Sequence, residues 1–174
     1  MIPWIVITTG LIISPHGCKK KDLFMPQSLS KIILHIVFST QDRRPLICNV
    51  FKDEMHAYLA AMCKSLKSHA IKVGGTLDHI HIAATLPRTV TVSTLLEEIK
   101  KSSSKWFKGK DERLYNFAWQ AGYGVFSVGQ SQLNQLIKYI EQQEEHHRKE
   151  TFHDELRRFL EKYEVEYDEH YIWD

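Results

Sequence analysis

Apolar residues occur along this chain in two patterns, short continuous or alternating runs and a spacing of three to four residues. These patterns predict strands and amphipathic helices in a definite order. The run IILHIVFST that follows Lys31 is almost continuously apolar over nine residues, as in a strand buried on both faces. After a polar turn, Asn49 can cap a helix in which apolar residues recur every three or four positions. Those apolar residues are Phe51, Met55, Tyr58, Leu59, Met62 and Leu66.

Two short apolar segments come next, with a two-residue turn between them. Residues 70–76 and 79–86 alternate or run apolar around Leu77–Asp78, which predicts a β-hairpin. The Gly74–Gly75 pair in the first of these strands indicates either a bulge or a close approach of another part of the backbone.

A second helix is predicted over residues 92–108, where Thr94 and Glu97 have the spacing of a capping box. Gly122 and Gly124 bracket the entry to the segment GVFSV, which we interpret as a fourth strand. The order of elements up to this point is strand, helix, strand, strand, helix, strand.

Two further helices complete the predicted pattern. One runs from about Ser131 to beyond His146, and the last is capped by Thr151, with Asp154 three residues on. The whole order predicts an α+β fold, the ferredoxin-like βαββαβ antiparallel sheet with helices on one face, plus additional C-terminal helices. No internal repeat or low-complexity linker interrupts it, so we expect a single domain.

Composition separates the beginning of the chain from the rest. The 174 residues, 43% of them hydrophobic, suffice for one core. The apolar stretch in residues 1–24 is shorter than the roughly 20 residues of a membrane-spanning helix. We therefore expect the working domain to be residues 25–174, with Met25 as the start and a membrane anchor as the alternative. Cys18, Cys48 and Cys63 lack metal-site spacing, and a reducing cytoplasm fits them best.

The net charge of +2 conceals a division along the chain. Residues 25–140 contain 15 basic and 8 acidic residues, a net charge of +7, whereas residues 141–174 contain 5 basic and 12 acidic residues, a net charge of −7. The chain is thus a basic body with an acidic helical tail, which we place from about residue 148.

A pair of histidines gives the predicted sheet a candidate metal site. His79 and His81 are two residues apart on the predicted third strand, so their side chains lie on one face, within about 7 Å of each other. Two imidazoles placed in this way can bind one cation. The alternative is a pair of half-buried histidines with no ligand.

The predicted third helix carries polar side chains on one flank. Tyr139 lies well to the side of the apolar stripe of this helix, and Gln143 follows one turn later on the same flank. His146 lies near the same flank. A phenol hydroxyl and an amide oxygen can therefore face one site, although an ordinary exposed tyrosine is the alternative.

Three segments together resemble a known family, the HUH single-tyrosine transposases. These segments are DHIHIAATLP, WQAGYGVFSV and LIKYIEQQEEHH, and the resemblance extends from about Ser28 to Asp174. The family comprises the REP-associated tyrosine transposases and the transposases of the smallest insertion sequences. The order of predicted elements agrees with that of the family.

The resemblance implies metal-dependent cleavage and rejoining of single-stranded DNA through a 5′-phosphotyrosine, at hairpin-forming palindromic ends. It implies that Tyr139 is the nucleophile and that His79, His81 and Gln143 hold a divalent cation, Mg²⁺ with Mn²⁺ as a substitute. His146 competes with Gln143 for the role of third ligand. If Tyr139 is not the nucleophile, Tyr123 is the next candidate.

Basic residues indicate how DNA is held. Lysines crowd the second predicted helix, and aromatic residues lie nearby that can stack on bases if they are exposed. The candidate DNA contacts are Arg43, Arg44, Lys100, Lys101, Lys105, Lys108 and Trp119. A solvated helix face is the alternative, and we expect the acidic tail to pack near this helix and to temper non-specific DNA binding.

Some features of the function remain open at this point. The family works as a homodimer, but the sequence alone does not show whether the tyrosine serves the histidine pair of its own chain or of its partner. A non-catalytic nucleic-acid-binding module on the same fold and a metal-dependent nuclease that uses water are the competing interpretations. The sequence does not distinguish a mobile element from a host gene that acts on repeated palindromes.

Overall fold

The computed structural model describes residues 29–169 and residue 172. The predictions for residues 1–24 and for a start at Met25 lie outside these residues. Among the described residues, no helix is both long and apolar enough to cross a membrane.

Within the described residues, four strands and five helices form the fold, with short 3₁₀ turns between some of them. The strands agree with the predicted ones within three residues at each end. The elements are β1 (Ile33–Ser39), α1 (Asn49–Ser65), β2 (Ala70–Gly75), β3 (His79–Thr85), α2 (Val92–Lys108), β4 (Gly124–Val128), α3 (Leu133–Glu141), α4 (Gln143–His146) and α5 (Phe152–Lys162).

The strands make one sheet in the order β2-β3-β1-β4, and every neighbouring pair is antiparallel. Ile36 at the centre of β1 pairs with Ile82 of β3 on one side and with Val125 of β4 on the other. This order confirms the ferredoxin-like prediction. The central position of β1 explains why its sequence is apolar on both faces.

One face of the sheet carries the main core. Leu34, Ile36 and Phe38 of β1 are buried there against α1 and α2. Met55 of α1 and Ile99 of α2 are fully buried in the same cluster. Met55 and Leu59, two of the apolar residues predicted along the first helix, are therefore among those that pack on the sheet.

The opposite face of the sheet is covered by the C-terminal helices. Val37 and Phe126 pack against the α5 residues Phe152, Leu156, Phe159 and Leu160. We expected the acidic tail to pack near the lysine-rich α2, and the described part of the tail does not. The apolar stripe of α5 instead covers the sheet face that α1 and α2 leave open. His79 and His81 lie on that face, beneath the C-terminal segment that follows residue 143.

Helix α3 reaches the sheet through a contact that only glycine permits. A Cβ atom on Gly74 of β2 would lie 2.6 Å from Ile140 Cγ2 and 2.7 Å from the Ile140 carbonyl oxygen. This is the close approach that the Gly74–Gly75 pair indicated. Because Tyr139 precedes Ile140, the same contact sets the distance of Tyr139 from the sheet.

Helix ends account for most of the local differences from the predictions. Helix α2 is capped by Thr91, whose Oγ1 accepts a hydrogen bond from the Thr94 N–H at 3.1 Å, so the predicted capping box of Thr94 and Glu97 is wrong. Helix α1 begins at Asn49 itself. The cap of α5 is as predicted, because Thr151 Oγ1 accepts a hydrogen bond from the Asp154 N–H at 3.2 Å.

Candidate active site and metal centre

His79 and His81 lie side by side on β3, on the sheet face that the C-terminal segment covers. Their ring centroids are 5.1 Å apart, and both side chains are buried. The strand period of two residues is the cause of this arrangement, as predicted. His79 is at the turn into β3, where Asp78 can reach it.

Each of these imidazoles is held through its Nδ1 atom. His79 Nδ1 lies 2.8 Å from Asp78 Oδ1 and 2.9 Å from Thr76 Oγ1. His81 Nδ1 lies 2.9 Å from Nε2 of His35, a buried histidine on β1. The Nε2 atoms are thereby directed away from these partners and towards the C-terminal helices.

Gln143 and Tyr139 come to the same place from the helical segment above the sheet. Gln143 is buried, and its Oε1 lies 3.1 Å from His79 Nε2. The Tyr139 ring lies edge-on to His81, with centroids 6.0 Å apart. The predicted helix is interrupted at Gln142, where α3 ends and α4 begins, yet the two side chains still face one site.

Glu155 of α5, which the sequence analysis did not identify, is at the centre of the site. Its Oε1 accepts hydrogen bonds from the Tyr139 hydroxyl and, at 2.9 Å, from Gln143 Nε2. The side chain is completely buried. A signal was available in the sequence, because Glu155 interrupts the apolar stripe that Phe152, Leu156 and Phe159 form along α5.

His147 is the second residue that the sequence analysis missed. Its Nε2 lies 3.3 Å from Glu155 Oε2. The neighbouring His146, which we considered as a ligand, is paired with Glu150 at 2.6 Å and is 3.8 Å from Glu155 Oε1. The end of α4 at His146 directs the next histidine, rather than His146, into the site.

Four side chains of this site can hold a metal ion. Ligand atoms of His79, His81, His147 and Glu155 all lie within 4.8 Å of one another. His81 Nε2 is buried without a hydrogen-bond partner among the described residues. A buried nitrogen of this kind is unusual, and a divalent cation would satisfy it. The residues therefore fit the metal that the family resemblance implies.

Burial sets the protonation of the site. Burial lowers the pKa of His81 to about 4, so His81 is neutral at neutral pH, the form in which an imidazole binds a cation. Burial alone would raise the pKa of Glu155, but the facing His147 and His81 more than offset this and hold that pKa well below its usual range. Burial, with the charge of Glu155 beside it, raises the pKa of Tyr139 far above its usual value.

Trp119 and Lys100 do not have the surroundings that we predicted for DNA contacts. The Trp119 ring packs edge-on against Phe38, and its indole N–H donates to Ser103 Oγ at 2.9 Å within the core. Trp119 is only 8% exposed, so it offers no free face for a base. Lys100 Nζ donates to the backbone carbonyls of residues 120, 121 and 122, which fixes it to the loop before β4, and burial lowers its pKa to about 8.

The other predicted DNA contacts are divided between the two sides of the sheet. Lys101, Lys105 and Lys108 are exposed on α2, across the sheet from the histidines. Arg44 is exposed after β1. Arg43 pairs with Asp78, the residue that holds His79, and its guanidinium lies 4.6 Å from the centre of the Phe152 ring. Arg43 therefore supports the site through Asp78, and its role as a phosphate contact stays a prediction.

A cavity of about 130 Å³ opens beside Tyr139, and two basic side chains line it, those of Arg158 and Lys162. It is lined by His35, Tyr139, Arg158, Phe159, Lys162 and Tyr163, among others. One nitrogen of the Arg158 guanidinium, which also pairs with Glu150, is 3.5 Å from the Tyr139 hydroxyl oxygen. Positive charge thus lies next to Tyr139, although we did not predict these residues.

Comparisons with known proteins agree with this architecture. Residues 28–143 match a family model described as "Transposase IS200 like". Two solved structures have the same fold at 16% sequence identity and a TM-score of 0.54. One is a candidate transposase from Deinococcus radiodurans R1, where the match covers 68% of this chain and 98% of that one. The other is a REP-associated tyrosine transposase bound to a REP hairpin, where it covers 83% of this chain and 91% of that one.

A search of curated proteins found no match. The region that matches the family model contains His79, His81, Tyr139 and Gln143. It ends before His147 and Glu155.

Proposed function

We propose that this chain, which belongs to the IS200-like transposase family, cleaves and rejoins single-stranded DNA through a covalent bond between Tyr139 and a 5′-phosphate. One observation carries the proposal. The hydroxyl of Tyr139 is hydrogen-bonded to Glu155, whose other carboxylate oxygen is 3.4 Å from His81 Nε2. A candidate nucleophile and a candidate metal ligand thus both contact one buried carboxylate.

The reaction exchanges one phosphodiester for another. The Tyr139 oxygen attacks the phosphorus, the bond to the 3′-oxygen breaks, and the proton lost by the phenol is balanced by the proton gained at the 3′-hydroxyl. No external energy source is needed, because the phosphotyrosine bond is itself a phosphodiester that a 3′-hydroxyl can attack in the reverse direction. Glu155 orients the phenol by accepting its hydrogen bond.

A divalent cation is part of the proposal. Tyr139 is a weak nucleophile, because its pKa is raised by burial and by Glu155. A cation held by His79, His81 and Gln143 would polarise the phosphate and offset the charge that develops there. We propose Mg²⁺ or Mn²⁺, since two imidazoles and an amide oxygen suit neither a purely soft nor a purely hard ion.

The proposed DNA substrate is a single strand that contains a hairpin. The REP-associated relative is bound to a REP hairpin. In this chain, Lys101, Lys105 and Lys108 offer exposed charge for a duplex stem, and Arg158 and Lys162 offer charge beside Tyr139. We further propose that two chains associate as in the family, while each site is completed by the tyrosine of its own chain.

A labelled oligonucleotide tests the proposal. A hairpin with a single-stranded flank carries a label at its 3′ end, so that the fragment attached through its 5′-phosphate is the visible one. With Mn²⁺ present, we expect a labelled species that migrates with the protein on a denaturing gel and is absent for Tyr139→Phe. Tyr115→Phe, which alters an exposed tyrosine, is the matched control. Cleavage without an adduct would favour a nuclease that uses water, and binding without cleavage would favour a non-catalytic module.

A further inference from the structure

Three buried atoms without a hydrogen-bond partner among the described residues face one another in the site. They are His81 Nε2, His147 Nε2 and Glu155 Oε2. Glu155 Oε2 is 3.4 Å from the first and 3.3 Å from the second. Buried polar atoms in folded proteins nearly always have partners, and two nitrogens that converge on one carboxylate oxygen have the arrangement of ligands that share a cation.

The orientation of the imidazoles points to the same group. The other nitrogen of each ring is held by a separate partner, since His79 Nδ1 contacts Asp78 and His81 Nδ1 contacts His35. His147 Nδ1 lies 3.0 Å from the backbone oxygen of Glu150. Metal-binding histidines have this arrangement, in which a partner at one nitrogen orients the other nitrogen towards the ion.

We propose that His147 and Glu155 are ligands of the same cation that His79 and His81 hold, an inference that rests on the metal site of the proposed function. Both residues lie beyond residue 143, where the match to the family model ends. The C-terminal segment thus supplies half of a four-residue ligand set. Gln143 Oε1, which lies 3.1 Å from His79 Nε2, would remain available to the cation beside these four side chains.

This ligand set has a consequence for the metal. Three imidazoles and one carboxylate favour Mn²⁺, Co²⁺ or Zn²⁺ over Mg²⁺, which prefers oxygen ligands. It would also connect the metal to the nucleophile, because Glu155 Oε1 accepts the hydrogen bond of Tyr139 while Oε2 faces His81 Nε2 and His147 Nε2. Glu155 is therefore both a ligand and the positioning residue of Tyr139.

The first test counts the imidazoles in the unaltered protein, without DNA. The full chain is labelled with ¹⁵N at its ten histidines and titrated with Zn²⁺ as a diamagnetic probe. We expect the Nε2 signals of three histidines, those of His79, His81 and His147, to move to the range of metal-bound imidazole. In His147→Gln only two signals should move. A shift of only two signals, those of His79 and His81, would overturn the role of His147.

The second test concerns the carboxylate and the choice of metal. Calorimetric titration with Mn²⁺ should show at least tenfold weaker binding for Glu155→Gln and for His147→Gln than for the unaltered chain. The controls Glu161→Gln and His69→Gln alter exposed residues and should bind as the unaltered chain does. Circular dichroism identifies any variant that fails to fold, and the histidine count in the unaltered chain does not depend on the variants.

Unchanged Mn²⁺ affinity in folded Glu155→Gln would overturn the role of Glu155. Tighter binding of Mg²⁺ than of Mn²⁺ by the unaltered chain would overturn the proposed ligand set as a whole. Neither experiment contains DNA. Formation of the Tyr139 adduct together with only two metal-bound histidines would therefore refute this inference and leave the proposed function intact.

Discussion

The hydroxyl of Tyr139 donates a hydrogen bond to the carboxylate of Glu155, a residue 16 positions further along the chain and on a different helix. Packing on the sheet brings these two residues together, because α3 and α5 both lie on the face that carries His35 and His81. The contact joins the family-matched part of the chain to the C-terminal segment that covers it.

The first prediction concerns the acidity of Tyr139. Burial and then the charge of Glu155 raise the pKa of this phenol. Replacing Glu155 by Gln removes the charge but not the burial, so the pKa of Tyr139 should fall while staying above that of a free phenol. ¹³Cζ NMR of labelled tyrosine, without metal, measures this, and Glu161→Gln is the control. A phenol that titrates at the same pH as in the unaltered chain, or higher, would contradict the prediction.

The second prediction concerns His35, which contacts His81 and no proposed substrate group. Burial, with His81 beside it, lowers the pKa of His35 well below its usual value, so it is a neutral partner for His81 Nδ1. His35→Phe keeps the ring among its aromatic neighbours Phe126 and Phe159 but removes the hydrogen bond. The affinity for Mn²⁺ should fall about 10- to 100-fold, as for other losses of a partner to a metal-binding histidine. Calorimetry against His69→Phe measures it, and equal affinities would refute the role of His35.

The third prediction concerns the contact that positions α3. Gly74→Ala would place a Cβ atom 2.6 Å from Ile140 Cγ2, so the helix has to move away from the sheet. The free energy of unfolding should fall by about 1–3 kcal/mol, the usual cost of overpacking, and DNA cleavage should fall with it. Gly122→Ala is the matched control, because a Cβ atom there would have no heavy atom within 4 Å. Unfolding by urea gives the free energies, and equal values for the two variants would contradict the prediction.

The fourth prediction concerns the exposed lysines of α2. Lys101, Lys105 and Lys108 lie on one flank of the helix, and each phosphate contact to a duplex stem contributes about 0.9 to the slope of log affinity against log salt concentration. Replacing all three by Gln should reduce the magnitude of the slope by about 3. Fluorescence anisotropy with a hairpin oligonucleotide measures the slope, with Lys64→Gln and Lys67→Gln together as the control. An unchanged slope would exclude these lysines as phosphate contacts.

Local periodicity predicted the strands and the two residue pairs of the site. The period of two placed His79 and His81 on one face, and the helical spacing placed Tyr139 and Gln143 on one flank. These patterns depend only on residues close in sequence. They are physical consequences of strand and helix geometry, so they survive even where the helix is interrupted at Gln142.

Tertiary packing determined what the sequence analysis missed. Which helix covers the histidines is set by the apolar stripe of α5, and local spacing does not say which sheet face that stripe will meet. Glu155 and His147 were missed for this reason, although an acidic residue inside the stripe was a visible signal. Trp119 was misassigned because a buried and an exposed tryptophan have the same local pattern, and Ser103 supplies the buried acceptor that the indole needs.

Peptide mapping of the covalent product tests the central claim most directly. After incubation with a hairpin oligonucleotide and Mn²⁺, the protein is digested with a protease and a nuclease, and mass spectrometry locates the residual nucleotide. We predict a 5′-linked nucleotide on Tyr139, and none on the exposed Tyr123. A nucleotide on Tyr123 or on any other residue, or cleavage that leaves no nucleotide on the protein, would contradict the assignment of Tyr139 as the nucleophile.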